Sequence, residues 1–153
     1  MDTIVVGVDD STGARTALDW AARQAARTGS RLRVVHVYEV NVAWIDGYNP
    51  DLALWERHAR ETAEATAARV AEDVLGNFDA DSVDVQAIEG DPAQVLHDEA
   101  HDAALVVVGS RGRGGFRGLL LGSVSQRLAQ RAPCPVVIVP SPGDDVPAGQ
   151  AAL

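Results

Sequence analysis

One segment of the chain combines residue types that together can bind phosphate groups. Residues 106–128, VVVGSRGRGGFRGLLLGSVSQRL, contain glycine at positions 109, 112, 114, 115, 118 and 122 and arginine at positions 111, 113, 117 and 127. No carboxylate lies between Asp102 and Asp144, although the chain carries a net charge of −9. Glycine lets backbone N–H groups approach an anion and adopt positive φ angles, and arginine offsets phosphate charge. The segment predicts a phosphate site, with a charged surface loop as the alternative.

The end of this segment is predicted to begin a helix. A helix that starts at Gly122 and Ser123 directs free N–H groups, and about half a positive charge, toward its N-terminus. An anion is stabilised there. The hydroxyl groups of Ser123 and Ser125 would add hydrogen-bond donors.

Several familiar phosphate-binding patterns are excluded. All 13 basic residues are arginine, so the chain has no lysine for a Walker A loop. A dinucleotide fingerprint fails because Arg117 stands where the third glycine belongs. The Asp9–Asp10 pair is similar to the acidic pocket of response-regulator receivers, but those also need a lysine after the fifth strand.

The elements that would position this segment alternate between strand and helix. Strands are predicted at 3–8, 31–40, 82–89, 104–109 and 135–140, and helices at 12–28, 51–75, from residue 92, and at 122–131. The alternation predicts one α/β domain, a five-stranded parallel sheet with helices on both faces. Right-handed crossovers favour the order 3-2-1-4-5 or 2-1-3-4-5. We prefer the first, because it brings Asp9 and Asp10 to face the glycine segment across one crevice.

Length and composition indicate the number of domains and argue against several classes of protein. A length of 153 residues suits a single domain, assigned to 1–140, with a disordered tail at 141–153. The acidic balance argues against nucleic-acid binding, and no apolar run reaches the length of a membrane span. A single cysteine, Cys134, excludes an internal disulfide, and the start MDTIVVGVDD shows no signal sequence. We therefore expect a cytoplasmic protein that binds neither membrane nor nucleic acid.

The spacing G-x2-G-x9-G-S, formed by Gly109, Gly112, Gly122 and Ser123, resembles the ATP-binding branch of the universal stress protein family. Further matching segments are IVVGVDDS, VVHV, GDPAQVL and APCPVVIVP, so the resemblance covers about residues 2–140. It implies a Rossmann-like fold of the adenine nucleotide alpha hydrolase-like type. ATP and Mg²⁺ are the implied cofactors.

The resemblance also implies site residues. Asp9 matches the acid beside the phosphates and their metal, and Val8 and Val37 match adenine contacts. The ribose and phosphate loop is matched by Gly109, Arg111, Gly112, Gly122, Ser123, Val124 and Ser125. Asp10 departs from the pattern, since many members have glycine there. A second carboxylate at this position would either strengthen Mg²⁺ binding or repel a triphosphate.

The function that the resemblance implies is nucleotide-dependent regulation of a stress response. One alternative is an enzyme, a slow ATPase or a partner-dependent phosphotransferase, in which Asp9 and Asp10 are the only nearby bases. Another is a stress protein without a nucleotide, which acts through protein contacts. The resemblance further implies a homodimer that pairs through the edge strand Pro135–Pro140.

Other residues invite functional hypotheses that we weigh against structural ones. His97 and His101 in HDEAH lack the glutamate placement of a zinc-protease helix and are expected to be solvated. His36 is expected to be a hydrogen-bonded histidine within its strand, and Cys134 a small buried residue. The insert around Trp44, Tyr48 and Trp55 matches no motif, and its rings would either pack a lid or stack on adenine.

Overall fold

The computed structural model describes residues 1–41, 51–76, 79, 81–112 and 120–142. Its elements are β1 (Thr3–Val8), α1 (Thr12–Thr28), β2 (Arg31–Tyr38), α2 (Leu52–Leu75), β3 (Val83–Glu89), α3 (Pro92–Glu99), a 3-10 turn (Ala100–Asp102), β4 (Leu105–Gly109), α4 (Ser123–Arg131) and β5 (Val136–Val139). The insert residues Trp44 and Tyr48, and the tail from residue 143 onward, lie outside the described residues.

Local sequence explains where the helices begin and end. Ser11 caps α1 by accepting a hydrogen bond from the Ala14 N–H at 3.2 Å. The helix ends at Gly29, whose φ of 67° lies in the left-handed region that favours glycine. Asp51 caps α2 and Asp91 caps α3 in the same way, so side chains set three of the helix starts.

Within the described residues the strands form one sheet in the order β3-β2-β1-β4-β5, and every pairing is parallel. The preferred order 3-2-1-4-5 is therefore confirmed. Strand β1 is central, with Val8 opposite His36 of β2 on one side and Val6 opposite Val107 of β4 on the other. Strand β5 lies at an edge.

Helices cover both faces of the sheet, as predicted. One face packs Val6 and Val34 against Leu18 of α1 and Val70 of α2. The other face packs strand valines against α3 and α4, through Leu96 and Leu128. Two predicted strands are shorter than expected, because β2 ends at Tyr38 and β5 spans Val136–Val139.

None of the helices that the structure describes is both long and apolar enough to cross a membrane. The longest of them, α2, alternates alanine with charged residues and buries only Ala63, Ala67, Val70 and Ala71.

The core makes a direct prediction about stability. Leu18 is fully buried, so Leu18→Ala should lower the free energy of unfolding by about 2–5 kcal/mol in urea titrations. Leu54 is 59% exposed, and Leu54→Ala should change the free energy of unfolding by less than about 0.5 kcal/mol. Equal effects of the two substitutions would contradict this account of the core.

Candidate functional site

A cleft opens at the edge of the sheet where β1 and β4 end, and we call it the sheet-edge cleft. Its volume is about 380 Å³, and its walls include the first turns of α1, α3 and α4. All ten residues predicted from the sequence to form the site line it, namely Val8, Asp9, Val37, Gly109, Arg111, Gly112, Gly122, Ser123, Val124 and Ser125. The structure therefore brings together residues that lie more than 100 positions apart in the chain.

One part of the cleft is an apolar wall. It consists of the aliphatic side chains of Val8, Val35, Val37, Leu96 and Val108. Three of these, Val35, Leu96 and Val108, belong to the core between the sheet and α3 and α4, so the wall is held by packing. Of the five, sequence reasoning missed Val35, Leu96 and Val108. An aliphatic surface of this kind suits a flat uncharged ring.

The rest of the cleft is a polar wall built around the start of α4. Gly122 is the N-cap of α4 and provides no side-chain cap. Its own N–H donates to the Ser110 carbonyl at 2.6 Å, which fixes the direction in which the helix leaves the loop. Within the described part of the chain, the N–H groups of Ser123, Val124 and Ser125 meet no protein acceptor. The polar wall thus presents hydrogen-bond donors and the positive end of a helix dipole.

The Ser125 hydroxyl has a different role from the one predicted. It is buried and donates to the carbonyls of Ser110 and Gly122, at 3.1 and 3.0 Å. It therefore braces the loop before α4 and is not a donor to a ligand. Ser123, the first residue of α4, is exposed and lines the cleft, so its hydroxyl stays a predicted donor to a ligand.

Crowding, and not positive φ, distinguishes two of the three motif glycines, Gly109 and Gly112. Among the described residues, positive φ values occur only at Gly29, Gly76 and Gly90. The expectation that the motif glycines adopt such angles is therefore wrong for Gly109, Gly112 and Gly122. Their φ values lie outside the left-handed region, so other residue types could adopt them. What distinguishes Gly109 and Gly112 is how close the neighbouring atoms lie.

A Cβ atom would have a different amount of space at each motif glycine. At Gly109 it would lie 3.1 Å from the Gly13 carbonyl oxygen, and at Gly112 it would lie 3.0 Å from Asp9 Oδ2. Both positions are too tight for a larger residue without a shift. At Gly122 the nearest atom, Arg111 Cα, is 3.4 Å away, an ordinary contact. None of the described residues therefore requires glycine at 122, and a side chain there would narrow the cleft.

The two acidic residues after β1 differ in whether they line the sheet-edge cleft. Asp9 lines the sheet-edge cleft, and its Oδ1 accepts the Ser11 N–H at 2.9 Å. Asp10 does not line this cleft. It lines a neighbouring cavity beside α2, together with His36 and Trp55, and Asp9 lines that cavity as well. Of the acidic pair, Asp9 is therefore the residue that lines the sheet-edge cleft, and Trp55 does not line that cleft.

The family model described as the universal stress protein family matches residues 1–140. The chain belongs to the universal stress protein family. A universal stress protein of Mycolicibacterium smegmatis is 40% identical over 141 residues, covering 89% of this chain and 45% of that protein. The chain spans about half the length of the curated relatives it matches.

Solved structures of the family share the fold. A universal stress protein from Lactobacillus plantarum superimposes with a TM-score of 0.68 at 23% identity, covering 90% of this chain and 97% of that chain. A universal stress protein in complex with cAMP gives a TM-score of 0.64 at 25% identity, covering 92% and 98%. The second of these is a complex with an adenine nucleotide.

Of the histidines of this universal stress protein, His36 takes the hydrogen-bonded role expected of it within its strand. His36 Nδ1 lies 3.0 Å from the Val8 carbonyl oxygen and so links β2 to the end of β1. The rings of His97 and His101 meet edge to face, with centroids 5.1 Å apart. Among the residues that the structure describes, no group of three or more His, Cys, Asp or Glu is arranged to hold a metal ion.

Cys134 is partly buried against the core beneath α3 and α4, and not fully buried as expected. Burial raises the pKa of its thiol, and a backbone hydrogen bond from Val106 opposes that rise only in part. Because the thiolate is the nucleophile, a raised pKa lowers the fraction of reactive thiolate near neutral pH.

We therefore predict slow alkylation of Cys134 by iodoacetamide in the folded protein. The pH at which the rate rises should be higher in the native protein than in the protein unfolded in urea, because unfolding returns the thiol to water. A native profile that rises at the same pH as the unfolded one, or at a lower pH, would show that the thiol is activated.

Proposed function

We propose that this universal stress protein binds an adenine nucleotide in the sheet-edge cleft, ATP with Mg²⁺ in particular, and regulates a stress response according to nucleotide supply. The observation that carries the proposal is the meeting, in one cleft, of an aliphatic wall and an uncapped helix start. The related structure in complex with cAMP supports the choice of an adenine nucleotide.

The apolar wall would hold the adenine ring. Val8 ends β1, Val37 is the second-last residue of the neighbouring β2, and Leu96 of α3 lines the same cleft. Aliphatic side chains can contact both faces of a base but provide no hydrogen bonds to its edge. Backbone groups at the ends of β1 and β2 would supply those, since the family resemblance implies an adenine contact through the backbone for Val8 and an adenine contact for Val37.

The polar wall would hold the phosphates. The N–H groups of Ser123, Val124 and Ser125 are available to phosphate oxygens, and the helix dipole adds a favourable field. Arg111 lines the same wall and carries a positive charge. Glycine at 122 leaves room for a phosphate to approach the backbone, because none of the described residues occupies the place of its side chain.

Asp9 would hold Mg²⁺. Its carboxylate lies against Gly112 on the polar wall, and carboxylate oxygen is a ligand that Mg²⁺ prefers. Magnesium usually binds through one or two carboxylates plus substrate phosphates, so a single acid suits an ion brought in with the nucleotide. When bound, the ion would neutralise phosphate charge beside Asp9.

Binding, and not turnover, is the activity that we propose. The chain has no lysine, and phosphoryl transfer depends on positioned cations as well as on the metal. The nucleotide would then act as a signal, because its binding would change how the protein binds its partners.

We further propose a homodimer that pairs through β5, because this short edge strand would otherwise expose its backbone hydrogen-bonding groups.

Calorimetric titration tests the proposal directly. The parent protein should bind Mg²⁺ and ATP in the micromolar range, and Gly122→Glu should lower the affinity at least 100-fold, because it places a carboxylate where the phosphates meet α4. Gly122 has an ordinary φ and room for a Cβ, so the variant should fold, which circular dichroism would verify.

The matched control is Gln130→Glu, which makes the same charge change on the exposed far end of α4. It should leave the affinity within about twofold. An equal loss in both variants would mean that net charge, and not the helix start, governs binding. No binding by the folded parent would overturn the proposed function.

A further inference from the structure

The short loop between β1 and α1, residues 9–11, is held at each of its three residues. Asp9 Oδ1 accepts the Ser11 N–H at 2.9 Å, and Ser11 Oγ accepts the Ala14 N–H at 3.2 Å. The carbonyl oxygen of Asp10 accepts a hydrogen bond from Arg15 Nη1 at 2.8 Å. Two of these contacts are local, and the third comes from a long side chain one turn into α1.

Arg15 also reaches a second helix. Its Nη2 lies 3.0 Å from Asp73 Oδ2 near the end of α2, so one guanidinium joins the loop, α1 and α2. The Arg15 side chain is only 29% exposed. A planar guanidinium can hold two acceptors in fixed directions at once, which an ammonium on a flexible stem does less well.

We infer that Arg15 is a positioning residue, which fixes the loop so that the Asp9 carboxylate stays against Gly112 on the polar wall. Arg15 does not line the sheet-edge cleft, so any effect on a ligand must act through the loop. The effect on ligand binding rests on the proposed function, whereas the effect on the loop does not.

The same helix offers a matched control. Arg23 pairs with Asp19 on the surface of α1, at 2.6 Å and with a side chain that is 68% exposed. Both partners of this ion pair lie on α1, so the pair itself joins neither the loop nor α2 to that helix. Substitution of Arg23 removes the same charge as substitution of Arg15 without releasing the carbonyl of Asp10.

The first measurement is amide hydrogen exchange by NMR in the absence of any nucleotide. Arg15→Ala should speed exchange at the Ser11 N–H at least tenfold, because the loop loses the hydrogen bond from Arg15 to the Asp10 carbonyl oxygen. Exchange at Val6, in the middle of β1, should not change. Arg15→Lys should restore part of the protection, and Arg23→Ala should match the parent.

The second measurement compares two ligands by calorimetry. Arg15→Ala should lower the affinity for Mg²⁺ and ATP about tenfold and leave the affinity for cAMP within about twofold, since cAMP has one phosphate and no chain of phosphates for a metal to bridge. An equal loss for both ligands would indicate general loosening and overturn the inference.

Unchanged exchange at Ser11 in Arg15→Ala would also overturn it, as would an unchanged affinity for Mg²⁺ and ATP in a protein whose parent binds them. If the parent binds no nucleotide while Ser11 exchange still accelerates, the proposed function fails and the role of Arg15 in holding the loop stands.

Discussion

The parallel pairing of β1 with β4 is the constraint on which the site depends. These strands are far apart in the chain, yet Val5 lies opposite Val106 and Val6 opposite Val107 in the centre of the sheet. Parallel strands end at the same edge, so the residues after β1 and after β4 must meet there. The chain order reverses beside β1, and the helices that follow the two strands pack on opposite faces. A crevice between their first turns is the geometric result.

Backbone groups and missing side chains shape the polar wall more than charged side chains do. Gly109 lets the loop pass close to the Gly13 carbonyl, and Gly112 leaves space for the Asp9 carboxylate. The buried Ser125 hydroxyl then ties the loop to α4. These contacts determine the direction of the first N–H groups of α4. The apolar wall beside them is held by packing in the same core that packs β2 against α3.

Most of this fold could be predicted from the sequence, because strand and helix periodicity, helix caps and the apolar runs agree with one another. The strand order was one of two possibilities, and a choice between them needs tertiary packing. The ten predicted site residues do meet in one cleft, since parallel topology brings them there. What the sequence could not supply was local detail, such as the buried hydrogen bonds of the Ser125 hydroxyl and the absence of Asp10 from the lining of the sheet-edge cleft. Those outcomes depend on which atoms the finished packing leaves within reach.

The central claim is that an adenine nucleotide lies between the apolar wall and the start of α4. Amide chemical-shift mapping by NMR during titration with Mg²⁺ and ATP tests it most directly. The account predicts the largest shifts at Ser123, Val124 and Ser125, with further shifts at Val8 and Val37. Shifts confined to the neighbouring cavity, at Thr62 and Thr66 of α2, with no change at the start of α4, would contradict it.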